Sequence, residues 1–223
     1  MGGMIEYQAN GGKAQGYLAR PAAGGTGKGV IVLQEYWGLV PHIQDICDRF
    51  AKEGYTALAP DLFDGTVTKN PDEAFRLLMA LNIDEMAKKL SGSVAALHAH
   101  GATGKVGIVG FCMGGQLALY AATAQPDAYG AVVDFYGIHP KVAPDYAALK
   151  APVLGFFAEQ DGFVTPAAGR EIKAHVDKAG GRMDIHVYPG QHAFFNDTRP
   201  EVYDKASADD AWQKTLAFFA ANL

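Results

Sequence analysis

The pentapeptide Gly110-Phe111-Cys112-Met113-Gly114 constrains this chain more than any other stretch. A cysteine flanked by glycines, set between an apolar run and a small-residue helical stretch, marks a sharp strand-to-helix turn with a nucleophile at its apex. Residues 105–109 read as the strand, and residues 115–123 as the helix. The glycines let two backbone segments approach where a Cβ would clash. The same residues also suit a glycine-rich turn that merely buries a free cysteine. The pentapeptide leaves both alternatives open, and its surroundings decide between them.

Two more strand ends carry chemistry. The apolar run 152–157 leads into Glu159-Gln160-Asp161-Gly162, and the alternating run 183–188 leads into Pro189-Gly190-Gln191-His192. An aspartate before glycine is by itself a turn signal, and a lone loop histidine is ordinarily a surface residue. Behind the elbow they take on another meaning. A nucleophile, an acid and a histidine then follow in that order, each just past a predicted strand. That is the chain order of α/β-hydrolases.

The rest of the chain agrees with such a sheet. An Asn-Gly turn signal at residues 9–12 predicts an N-terminal hairpin. Residues 29–33, 55–59 and 131–135 read as further strands. Helices are predicted over 42–53, 72–81, 84–98 and 204–222, the last presenting Trp212, Leu216 and Phe219. Cys47 falls on the first of these helices as a small packing residue. Strands alternating with helices predict a mostly parallel, twisted sheet covered on both faces. Ligands bind such sheets at the carboxyl ends of the strands, where Cys112, Asp161 and His192 all fall. With 223 residues, one domain over 1–223 is expected, without room for a large lid.

Composition excludes other classes. A hydrophobic content of 49% is too high for a disordered chain. No apolar run approaches the ~20 residues that span a bilayer, and no basic-then-apolar leader opens the chain. Net charge is −5 with scattered lysines and arginines, so no nucleic-acid partner is expected. Neither zinc-ligand spacing nor a phosphate-binding loop occurs, and no metal or cofactor is expected. Two cysteines suit a reducing compartment, and a cytoplasmic location is expected. A monomer is the default expectation, with oligomeric state left open.

The whole chain resembles the dienelactone hydrolase (carboxymethylenebutenolidase) family of the α/β-hydrolase fold. The resemblance rests on Gln34-Glu35, Ala59-Pro60-Asp61-Leu62, the elbow with its cysteine, Phe135-Tyr136-Gly137, Gln160-Asp161 and Gly190-x-His192-x-Phe194. It implies a Cys112–Asp161–His192 triad acting on a small ester or lactone. Cys112 attacks as thiolate, His192 is the base, and Asp161 orients the imidazole. The backbone N–H of Met113 follows the nucleophile and is expected in the oxyanion hole, with that of Tyr36 as the second donor. In the family the glutamate matching Glu35 contacts the resting thiol and takes its proton when substrate binds. A carboxylate beside a thiol disfavours thiolate. Trp37, Phe63, Tyr136, Phe194 and Asn196 are expected around an open, mostly apolar substrate cleft.

The sequence departs from the family at the substrate carboxylate. Relatives acting on carboxylated dienelactones carry two arginines that clamp it. Here one of those positions is Asn196, and residues 69–75 offer no counterpart to the other. Asparagine lacks the charged, bidentate fork. Arg76 and Arg199 lie nearby in sequence and read as solvated surface charges. A neutral ester or lactone is therefore expected. Two other readings remain: a thiol redox sensor using Cys112, or a non-catalytic binding protein on the same fold.

Overall fold

In the computed structural model, which describes residues 2–223, strands and helices alternate as the apolar runs predict. The strands are β1 (Gly3–Ala9), β2 (Gly12–Ala19), β3 (Gly29–Leu33), β4 (Thr56–Pro60), β5 (Val106–Phe111), β6 (Tyr129–Phe135), β7 (Val153–Ala158) and β8 (Met183–Tyr188). The helices are α1 (Pro41–Lys52), α2 (Pro71–Ala80), α3 (Ile83–Ala99), α4 (Met113–Ala124), α5 (Pro166–Lys178) and α6 (Lys205–Asn222). The sheet has the order β1-β2-β4-β3-β5-β6-β7-β8. Pairs β1–β2 and β2–β4 are antiparallel, whereas β3–β4, β6–β7 and β7–β8 are parallel. Two compact units divide within β5, between Val109 and Gly110.

In the first unit the β1–β2 hairpin turns at Gly11, whose φ of 106° suits glycine. Strands β3 and β4 are buried throughout, which is why they read as unbroken apolar runs. Helix α1 opens on Pro41, and the left-handed Gly54 follows its end. Helices α2 and α3 start at Asn70 and Asn82, whose side chains accept two backbone N–H groups each.

The second unit is built around buried β6 and β7. The rings of Phe111, Phe135, Phe156 and Phe195 pack there, with centroids 4.7 Å apart for Phe111–Phe135 and for Phe135–Phe156, and 4.8 Å for Phe135–Phe195. Two features differ from expectation. Helix α5 was not anticipated, because only Ile172 and Val176 on it are large and buried. Its start was nevertheless written in Thr165-Pro166: the threonine side chain caps Ala168 N–H, and proline takes the first turn. Helix α6 buries Ala208, Ala211, Thr215 and Phe219, while Trp212 and Leu216 are only half-buried. Small residues on the buried stripe let the helix approach closely, and the larger ones pack at its margin.

Candidate active site

Strand β5 ends at Phe111 and α4 begins at Met113, so Cys112 alone makes the turn. Its φ of 54° and ψ of −124° lie where a side chain is disfavoured, a strain of about 1–3 kcal/mol that the surroundings must hold. They do so through the backbone. Cys112 N–H donates to Phe135 C=O at 3.0 Å, and Cys112 C=O accepts from Gly115 N–H at 2.9 Å. A Cβ on Gly110 would collide with the carbonyl of Gly114, which explains the glycine before the nucleophile. The thiol is therefore fixed at the N-terminus of a 12-residue helix, where the helix dipole favours negative charge. Met113 opens that helix, so its N–H is among those the helix does not consume. Cys112 is partly exposed. Cys47 is fully buried in α1, and burial pushes its thiol well above the ordinary value, consistent with a packing role.

Asp161 lies three residues past β7. Its Oδ1 accepts from the N–H groups of Phe163 at 2.7 Å and Val164 at 2.8 Å, and its Oδ2 is 2.7 Å from Nδ1 of His192. The two loops are also joined by their backbones. Glu159 N–H donates to Tyr188 C=O at 2.8 Å, and Gln160 N–H to Gly190 C=O at 2.9 Å. These bonds fix the His192 loop against the Asp161 loop.

His192 also hydrogen-bonds to Cys112. Burial opposes its charged form, but the bonds to Asp161 and Cys112 and the attraction of both outweigh it, raising its pKa from 6.5 to about 10. With Nδ1 committed to Asp161, the other ring nitrogen serves the thiol. The imidazole packs between Tyr136 and Phe163, with ring centroids 5.0 and 5.4 Å away. Phe163 is 79% exposed. A large apolar ring held in solvent beside the histidine is suited to contacting a ligand. Sequence reasoning did not place it in the pocket, because an exposed phenylalanine reads there as part of a turn.

The remaining candidates fall as follows. Tyr136, Phe194 and Asn196 are buried; the Tyr136 and Phe194 rings pack edge-on, 5.4 Å apart. Asn196 accepts from Thr198 N–H at 3.1 Å and Oγ1 at 2.7 Å, so its amide oxygen shapes the turn after the histidine. Arg199 pairs with Glu201 at the surface and Arg76 is exposed, as surface charges should be. In the first unit Glu35 is 1% exposed at the end of β3, so it does not face solvent. Beside it, Gln34 Oε1 accepts from Leu62 N–H at 3.3 Å. The rings of Tyr36 and Trp37 lie 4.3 Å apart and are half-buried, and Phe63 is buried. A recess of the first unit, about 840 Å³ and lined by Leu18, Arg20, Thr56 and His100 among others, contains no candidate site residue. Among the described residues no group of three His, Cys, Asp or Glu side chains is placed to hold a metal, and no helix is long and apolar enough to cross a membrane.

Comparison with known proteins gives a consistent result. The model of the dienelactone hydrolase family matches residues 14–223. "Protein usf" of Aquifex pyrophilus is 41% identical, covering 98% of this chain and 98% of its own. A "Putative carboxymethylenebutenolidase" of Aquifex aeolicus is 37% identical over all of both chains. A solved structure described as a "Putative Dienelactone Hydrolase" from Klebsiella pneumoniae superposes with a TM-score of 0.90 at 31% identity, covering 99% of this chain and 98% of that one.

Proposed function

The chain belongs to the dienelactone hydrolase family of ester and lactone hydrolases, and from that premise we propose that it cleaves small neutral esters or lactones through Cys112, His192 and Asp161, by way of an acyl-enzyme. The observation that carries this reading is His192, bonded to Asp161 through Nδ1 and also to the Cys112 thiol.

His192, whose hold on a proton is strengthened by its bonds to Asp161 and Cys112 despite its burial, is the base that takes the thiol proton. The thiolate attacks the carbonyl carbon, and the C–O π pair moves to oxygen. The Met113 N–H, and by family resemblance that of Tyr36, stabilise the oxyanion. As the tetrahedral adduct collapses, the C–O bond to the leaving group breaks and His192 gives that oxygen its proton. A thioester on Cys112 remains; for a lactone the alcohol stays tethered to the acyl chain. Neutral His192 then takes a proton from water as the water oxygen attacks the thioester. Collapse expels the thiolate beside imidazolium and releases the acid, which loses its proton to solvent. Glu35 is assigned, by the same resemblance, to governing the thiol proton before substrate binds, and Trp37, Phe63, Tyr136 and Phe194 to shaping the substrate cleft. Asn196 in place of arginine argues for neutral substrates. Each missing charge-assisted contact is worth about 1.5–3 kcal/mol, or roughly ten- to hundredfold in kcat/KM.

Stopped-flow turnover of p-nitrophenyl esters tests the mechanism. A burst of nitrophenolate matching the enzyme concentration is expected. Cys112→Ala should fold and lose roughly 10³-fold or more in kcat. Ordinary turnover by that variant removes Cys112 from the reaction. Paired neutral and carboxylated lactones test the substrate class, and a preference for the carboxylated one overturns it.

A further inference from the structure

Asp134, one residue before the end of β6, is used by none of these steps. It is completely buried. Its carboxyl lies against the first turn of α4. A Cβ on Gly115, the third residue of that helix, would collide with Oδ1, and so would a Cβ on Gly137. The same Cβ on Gly137 would come within 2.6 Å of the Gly115 Cα and 2.7 Å of the Gln116 nitrogen. The β6 turn, the Asp134 carboxyl and the start of α4 thus meet in a space that only two glycines leave open. Neither oxygen has a hydrogen-bond partner of good geometry among the described residues, and the nearby Gly137 N–H only partly favours the charged form.

Asp134 also bears on the elbow through its strand. Cys112 N–H donates to Phe135 C=O, the residue after Asp134, and Gly115 N–H donates to Cys112 C=O. The two anchors that hold the strained nucleophile are thus the backbone neighbour of Asp134 and the glycine its carboxyl touches.

We propose that Asp134 is a positioning residue for Cys112: its neutral carboxyl, seated between Gly115 and Gly137, holds the first turn of α4 against the end of β6, and its ionisation at alkaline pH puts a negative charge beneath the nucleophile's helix and lowers thiol reactivity. A buried, unpaired carboxylate is costly, and such a group stays protonated instead. Burial raises the Asp134 pKa from 3.8 to about 8, with the Gly137 N–H opposing only in part.

Among the described residues no cationic side chain acts on the Asp134 carboxyl. The short 3-10 turn at Tyr146–Ala148 contributes Tyr146, whose phenol is pushed up to about 12, first by burial and then by the Asp134 charge. Helix α4 contributes Cys112 at its start and Tyr120 about two turns on. Strand β7 carries no titratable side chain. On α6, which also packs on β6, Lys205 pairs with Asp209, and Lys214 with Asp210, which also accepts from the Tyr188 hydroxyl. His139 and Lys141 follow in the loop after β6, with His139 Nδ1 accepting from Lys141 N–H.

The test is the rate of Cys112 alkylation by iodoacetamide from pH 6 to 10.5; buried Cys47 does not contribute. The wild-type rate should depart from a single titration, with a second inflection near pH 8 that depresses it on the alkaline side. In Asp134→Asn and the smaller Asp134→Ser that inflection should vanish and the rate at pH 9 should rise several-fold. Wild-type stability should share the pattern. The folded state keeps this proton up to about pH 8 while the unfolded chain loses it near 3.8, so stability falls between those values and is level above. Both variants should flatten that fall. A wild-type alkylation profile with one inflection, or variant profiles that superpose on it, overturns the proposal. Where neither variant folds, the infrared spectrum of the wild type decides: a protonated-carboxyl band at pH 7 that disappears by pH 9.5 is required, and its absence is fatal. The proposal depends on the assigned nucleophile only for its effect on turnover. A turnover-competent Cys112→Ala refutes that assignment and leaves the thiol profile as the measure of Asp134.

Discussion

Two buried aspartates sit near the ends of neighbouring parallel strands, β6 and β7, and their settings are opposite. Asp161 is 4% exposed and Asp134 is not exposed at all. Asp161 receives two backbone N–H groups and an imidazole. Asp134 receives space between two glycines and no partner of opposite charge. Burying a carboxylate is costly unless it is paired, and the molecule meets that cost in two ways. At the β7 end, loop geometry supplies donors, so the charge is available to hold a proton on His192. At the β6 end the charge is given up, and a neutral carboxyl serves as packing. Residue type and burial therefore do not set an aspartate's role; the donors aimed at it do.

The strongest way to break this contrast is Asp161→Asn. Asparagine keeps the shape but presents an amide to Nδ1, favouring the wrong tautomer; a loss of up to about 10⁴-fold in kcat is expected. The pH dependence should move with it. His192 now holds its proton to about pH 10 because Asp161 and Cys112 outweigh burial. A raised histidine contributes stability that is fully present below its ordinary value of 6.5 and is lost as pH rises through about 10. Without the Asp161 charge that loss should begin at lower pH, visible in thermal midpoints across pH 6–10. An unchanged midpoint profile together with near-normal kcat would show that Asp161 is only a turn former.

The contrast also explains what the sequence made legible. The ends of β3, β5 and β7 were readable because buried parallel strands must be apolar and must end in turn chemistry, and the end of β8 from its alternating pattern. Asp161 and His192 stood out because each follows such a run directly. Asp134 did not. Inside Ala131-Val132-Val133-Asp134-Phe135 a single aspartate reads as a strand-end polar residue, and only the approach of Gly115 and Gly137, more than 20 residues apart in sequence, gives it meaning. Helix α5 was missed for a local reason, since its apolar stripe is short, although Thr165-Pro166 announced it. The packing of Phe163 against His192 depends on how two loops meet, and no periodicity carries that information.

Gly115→Ala sharpens the β6 side. The new methyl would meet the Asp134 carboxyl and the Gly137 Cα. Overpacking of this kind costs about 1–3 kcal/mol, measurable by urea unfolding. Replacing the carboxyl by a single hydroxyl should return part of it: Asp134→Ser combined with Gly115→Ala should be more stable than the sum of the single effects predicts. Strict additivity would mean that the Gly137 backbone alone resists the methyl and that the carboxyl does not fill the gap.

The smallest expected effect belongs to Phe163, on the β7 side. Its N–H donates to Asp161, but that bond is made by the backbone and survives substitution. Its ring is 79% exposed and meets the edge of His192 at 5.4 Å. Because the ring covers little core, Phe163→Ala should change stability by under about 0.5 kcal/mol, as for an ordinary surface site. If the ring contacts substrate, its loss should raise KM for esters with larger apolar groups. Forfeiting part of a phenyl contact of about 1–2 kcal/mol corresponds to roughly five- to thirtyfold, and kcat should stay close to wild type. A set of p-nitrophenyl esters of increasing acyl length reads this directly, since the effect should grow with chain length and be nearly absent for acetate. A uniform fall in kcat across the set, with KM unchanged, would instead show that the ring acts by holding the imidazole. In that case the β7 loop positions its histidine by packing as well as by charge, and its contrast with the β6 end narrows.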